Sequence, residues 1–160
     1  KTLEKLGVVT GGETKPVWSL QAADGALYAR GEADSLYGYR KVILGHKVGN
    51  GFFFHAVIEA LGREKELCEH GIVEIVVNGD EYRIDISERC QRKPLNGDVN
   101  LNANLTQEEA DLLAYSKSFG VQIRASSEAD LFLGISALST EGGKDLLHSI
   151  FVTGSAAGVA

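Results

Sequence analysis

The sequence predicts a mostly β fold, an antiparallel sheet or sandwich that carries one or two short helices. Nineteen glycines divide the 160 residues at short intervals, as turns do in antiparallel proteins. Short stretches of alternating apolar and polar residues lie between them, and few segments show the start and stop signals of a helix. Residues 1–160 are expected to form a single globular domain, with 1–15 and 152–160 as possible flexible ends.

Two hairpins are predicted in the first sixty residues. The segment VWSLQAADGALYARG alternates on both sides of Asp24-Gly25, a dipeptide that suits a two-residue turn because both positions tolerate positive φ. YRKVILGHKV is the next strand, and GNG reverses the chain into FFFHAVIEAL. Consecutive phenylalanines and β-branched residues favour a strand over 52–60. The overlapping segment HAVIEALGREKELCEHG is alternatively a helix that ends at Gly71.

A third hairpin is predicted in HGIVEIVVNGDEYRIDISERC, residues 70–90. A type I′ turn at Asn78-Gly79 places Glu74 opposite Arg83, an attractive cross-strand pair, and collects the alternate apolar residues on the other face. The following QRKPLNGD is expected to be a loop.

The second half of the chain adds the predicted helices. VNLNANL is expected to be a strand, and Thr106 with Glu109 forms a capping box that starts a helix over 106–119, with Gly120 at its C′ position. VQIRAS and DLFLGISAL are expected to be strands. GGKDLLHSIF is expected to be a second short helix, with Leu147 and Phe151 facing the core.

Cys68 and Cys90 are the two cysteines of the chain, and they flank the third hairpin. An even number of cysteines that flank one hairpin predicts a disulfide and an oxidising compartment, and hence a periplasmic or extracellular protein. The alternative is a pair of reduced, buried cysteines in a cytosolic protein. A chain that begins at Lys1 also fits a mature protein whose leader has been removed.

Charge, hydropathy and histidine spacing restrict the classes of partner and ligand that the chain is expected to bind. The net charge is −6 and no cluster of Lys and Arg is present, so nucleic acid is not an expected partner. No run of about 18 apolar residues is present, so no membrane span is expected. The four histidines, His46, His55, His70 and His148, lack the spacing of metal ligands, and no nucleophile motif accompanies them. No catalytic residue, metal or cofactor is therefore predicted.

The candidate binding residues are aromatic and cluster in the first quarter of the chain. They are Trp18, Tyr28, Tyr37 and Tyr39, because exposed aromatic side chains often anchor protein interfaces. The alternative is core packing for Trp18 and half-buried positions for the tyrosines. The oligomeric state is not predicted.

Three segments carry a resemblance to a known family: EIVVNGDEYRIDISERC, then VNLNANLTQEEADLLAYSKSFGVQIRAS, then DLFLGISAL followed by GGKDLL. From about residue 17 to 152 the order of elements resembles the invasion-associated locus B family of secreted bacterial proteins. The chain differs from that family in lacking a second cysteine soon after the hairpin. The resemblance implies a β-rich periplasmic or surface protein and supplies no catalytic residues.

The predicted function is that of a secreted or periplasmic, non-enzymatic binding protein. Its partner is expected to be another protein, which it meets as an inhibitor, an immunity-type protein or a surface factor. The alternative is a small hydrolase or ligand-binding β-barrel whose polar groups converge only in three dimensions.

Overall fold

The computed structural model describes residues 16–151, apart from 24–25, 36–37, 48–50, 61, 80 and 125–131, and gives the backbone alone for 33–35, 38–44, 46–47 and 132–137. Antiparallel strands dominate these residues, which confirms the predicted fold class. The elements in chain order are β1 (Val17–Ala23), β2 (Ala26–Ser35), β3 (Gly38–Lys47), β4 (Gly51–Glu59), α1 (Glu64–Glu69), β5 (Ile72–Val77), β6 (Tyr82–Asp85), β7 (Cys90–Leu95), β8 (Asp98–Leu105), α2 (Gln107–Tyr115), β9 (Ser118–Arg124), β10 (Phe132–Ser139) and α3 (Lys144–Phe151).

The strands form two open antiparallel sheets. The large sheet has six strands in the order β1-β2-β3-β4-β8-β7, and the small sheet has four in the order β10-β9-β5-β6. One face of each sheet packs into a shared hydrophobic core, to which α2 and α3 also contribute. Fully buried members of this core include Phe54, Ile58, Leu101, Ile75, Ile123, Phe119, Leu113 and Phe151. Burial of this apolar surface is the main stabilising term of the fold.

The first two predicted hairpins are confirmed. Ala23 pairs with Ala26, so the β1–β2 loop has two residues as Asp-Gly requires, although the turn residues themselves lie outside the described part of the chain. The segment 52–60 is a strand, as favoured. Of the alternative helix in HAVIEALGREKELCEHG, only the second half is helical, as α1. This helix begins after Gly62, whose φ is +85°.

The register predicted for the third hairpin is wrong by two residues. Glu74 pairs with Asp85 rather than Arg83, because the loop holds four residues, 78–81, instead of two. Asn78 and Gly79 do have positive φ, at 54° and 64°. However, the Asn78 side chain accepts a hydrogen bond from the Lys117 amide at 2.7 Å, which ties the turn to the start of β9. A shift of two preserves the face of every side chain, so the predicted apolar face is retained.

The segment QRKPLNGD was expected to be a loop, and this prediction is wrong. It forms most of β7, and Asn96-Gly97 makes the two-residue turn into β8 with φ of 53° and 87°. Proline is tolerated there because β7 ends the large sheet, where one side of the strand needs no ladder hydrogen bonds.

The capping box of α2 is confirmed, but the helix is shorter than predicted. The Glu109 amide donates to Thr106 Oγ1 at 3.1 Å, and Glu109 Oε1 accepts from the Thr106 amide at 2.9 Å. The helix ends at Tyr115, because Ser116 is extended at ψ 159° and its hydroxyl donates to the Leu113 carbonyl at 2.7 Å. Gly120 therefore lies inside β9 rather than at a helix end.

Candidate functional site

Trp18 lies on the core side of the large sheet, in its end strand β1. Its indole Nε1 donates to the Ser139 carbonyl at 3.0 Å, and its ring lies 6.0 Å from that of Phe119. Two glycines make room for the ring, since a Cβ at Gly143 would lie 2.5 Å from Trp18 Cγ and one at Gly31 would lie 2.9 Å from Cζ3. These contacts join β1 to β9 and β10 across the core, as the core-packing alternative requires.

Tyr28 lies on the opposite side of the large sheet, away from the core. It is half-buried, and its ring lies over Gly45, where a Cβ would come within 2.7 Å of Tyr28 Cδ1. Gly45 pairs with Phe53 of β4, which is also half-buried. Tyr28 and Phe53 thus occupy one row of the sheet with no side chain between them.

Two central strands extend this surface. The outward side chains of β4 are half-buried and alternate with residues that are fully buried in the core. After Asp98, the outward side chains of β8 are all asparagines, and the register pairs Asn104 with Phe53 and Asn102 with His55. We define the outer face as Tyr28, Phe53, His55, Val57, Asn100, Asn102 and Asn104.

The residues that define the outer face are uncharged at neutral pH, and three charged residues on the same side of the sheet adjoin them, Glu59, Asp98 and Lys93. Burial lowers the pKa of His55 below its ordinary value of 6.5, so this imidazole is neutral there. The adjacent residues of β2, Arg30 and Glu32, form an ion pair with each other and compensate each other's charge. The face therefore combines aromatic and apolar surface with carboxamide hydrogen-bonding groups.

The remaining candidates from the sequence are not brought into this surface by described contacts. Tyr37 and the side chains of Tyr39 and His46 lie outside the described residues. The register pairs His46 with Phe52 and His55 with Ile43, so the two histidines are not partners across the β3–β4 hairpin.

A buried polar cluster lies on the outward side of the small sheet. Arg124 binds both oxygens of Glu74, with Nε–Oε1 at 2.9 Å and Nη2–Oε2 at 3.0 Å, and Gln122 Nε2 donates to Oε1 at 3.0 Å. Arg83 Nη1 lies 3.8 Å from the same oxygen, so the predicted Glu74–Arg83 attraction persists as a diagonal contact. Both carboxylate oxygens are occupied, which fixes Glu74 as a structural anion that joins β5 to β9. The alternation of residues in SFGVQIR is the sequence signal that predicts outward positions for Gln122 and Arg124.

The predicted disulfide is not formed, and both cysteines are free. The hairpin geometry behind that prediction is wrong, because Cys68 lies in helix α1 and Cys90 begins β7. Arg92 joins these two elements, since its Nη1 donates to the carbonyls of Leu67 at 2.9 Å and His70 at 3.0 Å. Burial raises the pKa of both thiols, which disfavours the reactive thiolate form.

The side chain of His148 packs against the end of α2. It is half-buried on α3, and its ring lies edge-on to that of Tyr115 with the ring centres 4.4 Å apart. Within the described residues, no three His, Cys, Asp or Glu side chains lie together in a group that could hold a metal ion. No described helix is long and apolar enough to cross a membrane.

Comparison with known proteins supports the fold. No family model matches the sequence, and no curated protein matches it. Among solved structures, the chain is similar to the crystal structure of invasion associated protein B from Bartonella henselae. The TM-score is 0.52 at 10% identity, over 78% of this chain and 87% of the other. The resemblance inferred from the sequence is confirmed at the level of fold.

Proposed function

We propose that this protein is a secreted or periplasmic, non-enzymatic binding protein that recognises another protein through the outer face. The observation that carries the proposal is the composition of that face. Tyr28 and Phe53 present half-buried aromatic surface on the solvent side of an open sheet, and three asparagines border it. Rigid aromatic side chains with adjacent hydrogen-bonding groups are typical of protein-binding surfaces.

The charge of the chain indicates the kind of partner. The sequence has no cluster of Lys and Arg, which argues against nucleic acid and anionic lipid as partners. The chain as a whole has a net charge of −6, which attracts a protein of net positive charge. The proposed partner therefore has a net positive charge and an apolar patch rimmed by hydrogen-bonding groups.

The location outside the cytoplasm rests on the shared fold. The similar structure is that of a bacterial protein whose name associates it with invasion. Fractionation of the cells that make the protein is expected to recover it outside the cytoplasm. Recovery with cytoplasmic proteins would contradict this part of the proposal.

Matched variants test the binding surface once a partner has been captured and purified. Tyr28→Ser removes the aromatic ring from the outer face, and Asn102→Lys adds a charge of the same sign as the proposed partner's at an exposed position within it. Each is expected to weaken binding more than tenfold, or about 1.4 kcal/mol, in titration calorimetry. Tyr115→Ser is the control, because Tyr115 is 60% exposed on α2, outside the face. Equal affinities for all three variants would refute the assignment.

A histidine series tests whether the protein is an enzyme. His46, His55, His70 and His148 are the side chains best suited to act as bases near neutral pH. Replacing each with glutamine is expected to leave the biological activity within about tenfold. A variant that folds normally and loses activity a thousandfold would favour the hydrolase alternative.

A further inference from the structure

Two described turns have the sequence Asn-Gly, and the structure holds them differently. Asn78-Gly79 begins the loop between β5 and β6, and Asn96-Gly97 forms the turn between β7 and β8. Both asparagines have positive φ, at 54° and 53°, so the asparagine backbone is similar in the two turns. A Cβ on either glycine would meet nothing within 4 Å, so the space beside each glycine is open.

An Asn-Gly pair can react with itself. The backbone nitrogen of the glycine attacks Cγ of the asparagine and closes a five-membered succinimide, while the Cγ–Nδ2 bond breaks and ammonia leaves with the amide proton. Water then opens the ring at Cγ, which gives aspartate, or at the main-chain carbonyl carbon, which gives isoaspartate. The reaction needs no oxidant or reductant. Glycine favours it because no Cβ shields the attacking nitrogen.

Hydrogen bonds hold Asn78 away from this reaction. Ring closure requires the carboxamide to turn toward the next backbone nitrogen, and bonds that fix the side chain or the adjoining peptide group oppose that motion. Oδ1 of Asn78 accepts from the Lys117 amide at 2.7 Å, its amide donates to the Ser118 carbonyl at 2.8 Å, and its carbonyl accepts from the Glu81 amide at 3.3 Å. The residue is also half-buried.

Asn96 lacks these restraints. It is exposed, and within the described residues no hydrogen bond holds its carboxamide or the peptide group that joins it to Gly97. The turn is fixed on the far side of the reacting nitrogen, where the Gly97 carbonyl accepts from the Ala60 amide at 3.1 Å. We propose that Asn96-Gly97 is a site of spontaneous deamidation in the folded protein, whereas Asn78-Gly79 is protected.

The product changes the charge and the geometry of the β7–β8 turn. Either product adds a negative charge two residues from Asp98, in a chain whose net charge is already −6. Isoaspartate also lengthens the main chain by one carbon atom, which a two-residue turn closed by the Leu95–Asp98 pair does not accommodate. Among the described strands β7 pairs with β8 alone, so the isoaspartyl form loosens β7 from the large sheet.

Incubation of the purified full chain at mildly alkaline pH, followed by tryptic peptide mapping with mass spectrometry, tests the proposal. Lysine or arginine residues separate the three Asn-Gly pairs of the sequence, so each pair lies in its own peptide. The third pair, Asn50-Gly51, is not compared, since Asn50 lies outside the described residues. Asn96 is expected to deamidate at least about tenfold faster than Asn78, because a hydrogen bond that must break before ring closure slows the step by roughly that factor.

The same incubation in concentrated urea is the matched control. Unfolding removes the hydrogen bonds of Asn78, so the two asparagines are expected to react at rates within about twofold of each other. A sample digested before incubation gives the deamidation that arises during digestion, which is subtracted. The proposal is overturned if folded Asn96 reacts no faster than Asn78, if it stays intact over the time in which urea-unfolded chain converts it, or if the difference between the sites persists in urea.

Hydrogen exchange tests the structural consequence. The deamidated chain, separated from unmodified chain by ion exchange, is expected to exchange the backbone amides of β7 at least about tenfold faster. Equal exchange in the two forms would refute the loosening of β7.

Discussion

Replacing Gly143 by alanine drives a methyl group into the indole of Trp18. The added Cβ would lie 2.5 Å from Cγ and 2.7 Å from Cδ1 and Cδ2, well inside contact distance. Neither partner moves freely. The Gly143 amide donates to the Thr140 carbonyl at 2.9 Å, its carbonyl accepts from the Leu147 amide at 2.9 Å, and the indole is held by Ser139.

The expected cost follows from these contacts. Overpacking a well-filled core costs about 1–3 kcal/mol. If the indole shifts, the buried Ser139 carbonyl also loses its donor, at about 1–3 kcal/mol. The two penalties do not add in full, because an indole that moves loses its hydrogen bond but relieves the clash. We therefore expect Gly143→Ala to lower the free energy of unfolding by about 2–4 kcal/mol.

Urea denaturation followed by the fluorescence of Trp18, the single tryptophan, measures this cost. The same substitution in a Trp18→Leu background is expected to cost less than about 1 kcal/mol, because the ring that it strikes is gone. Circular dichroism follows unfolding in that background. An equal cost in both backgrounds would show that the penalty arises elsewhere, and a negligible cost in the wild type would refute the packing role of Trp18.

Four further outcomes are expected. Thr106→Ala should lower the free energy of unfolding by about 1 kcal/mol, because the helix cap is lost. Thr106→Ser keeps the hydroxyl, so it should preserve most of this stability in the same denaturation assay. Burial lowers the folded-state pKa of His55, so stability should fall as the pH drops below about 6.5, where the unfolded chain takes up the proton first. The His55→Gln variant should not show this fall in stability. Identical profiles of stability against pH for the variant and the wild type would contradict the prediction. Cys68 and Cys90 should both titrate with a thiol reagent in the unreduced, unfolded protein and react slowly when folded, and fewer than two thiols would show that they pair. Asn102→Thr should stabilise the protein by up to about 1 kcal/mol while weakening partner binding, and unchanged binding would exclude Asn102 from the interface.

Local signals account for the parts of the fold that the sequence predicts. Asp24-Gly25 places the first hairpin, and Thr106 with Glu109 places the start of α2, because both signals act over a few residues. The errors occur where distant residues decide the structure. The four-residue loop at Asn78 is fixed by the Lys117 amide, 39 residues away along the chain, and no local pattern reports that contact.

The outer face was predictable only in part, for a related reason. Tyr28 was identified from its residue type, since aromatic residues anchor interfaces. Phe53 and Asn104 become neighbours only through the β4–β8 pairing, which joins segments separated by helix α1 and three strands. The sequence predicts both strands but not that they are adjacent. A surface formed by several strands therefore needs the sheet order, which sequence alternation does not supply.

The asparagines of β8 provide the strongest argument that the outer face is selected for more than stability. Asparagine is depleted in strands, where threonine or valine fits the pleated surface better. Asn100, Asn102 and Asn104 nevertheless occupy successive outward positions of one strand, while its inward positions are ordinary buried apolar residues. The core side of β8 thus follows the rules for a stable strand, and the outward side does not. Conflict between local propensity and the fold, confined to one face, is expected where a surface is retained for binding. Because the inward residues are fixed in the core, the asparagines are held on a rigid strand, which reduces the entropy lost when a partner binds.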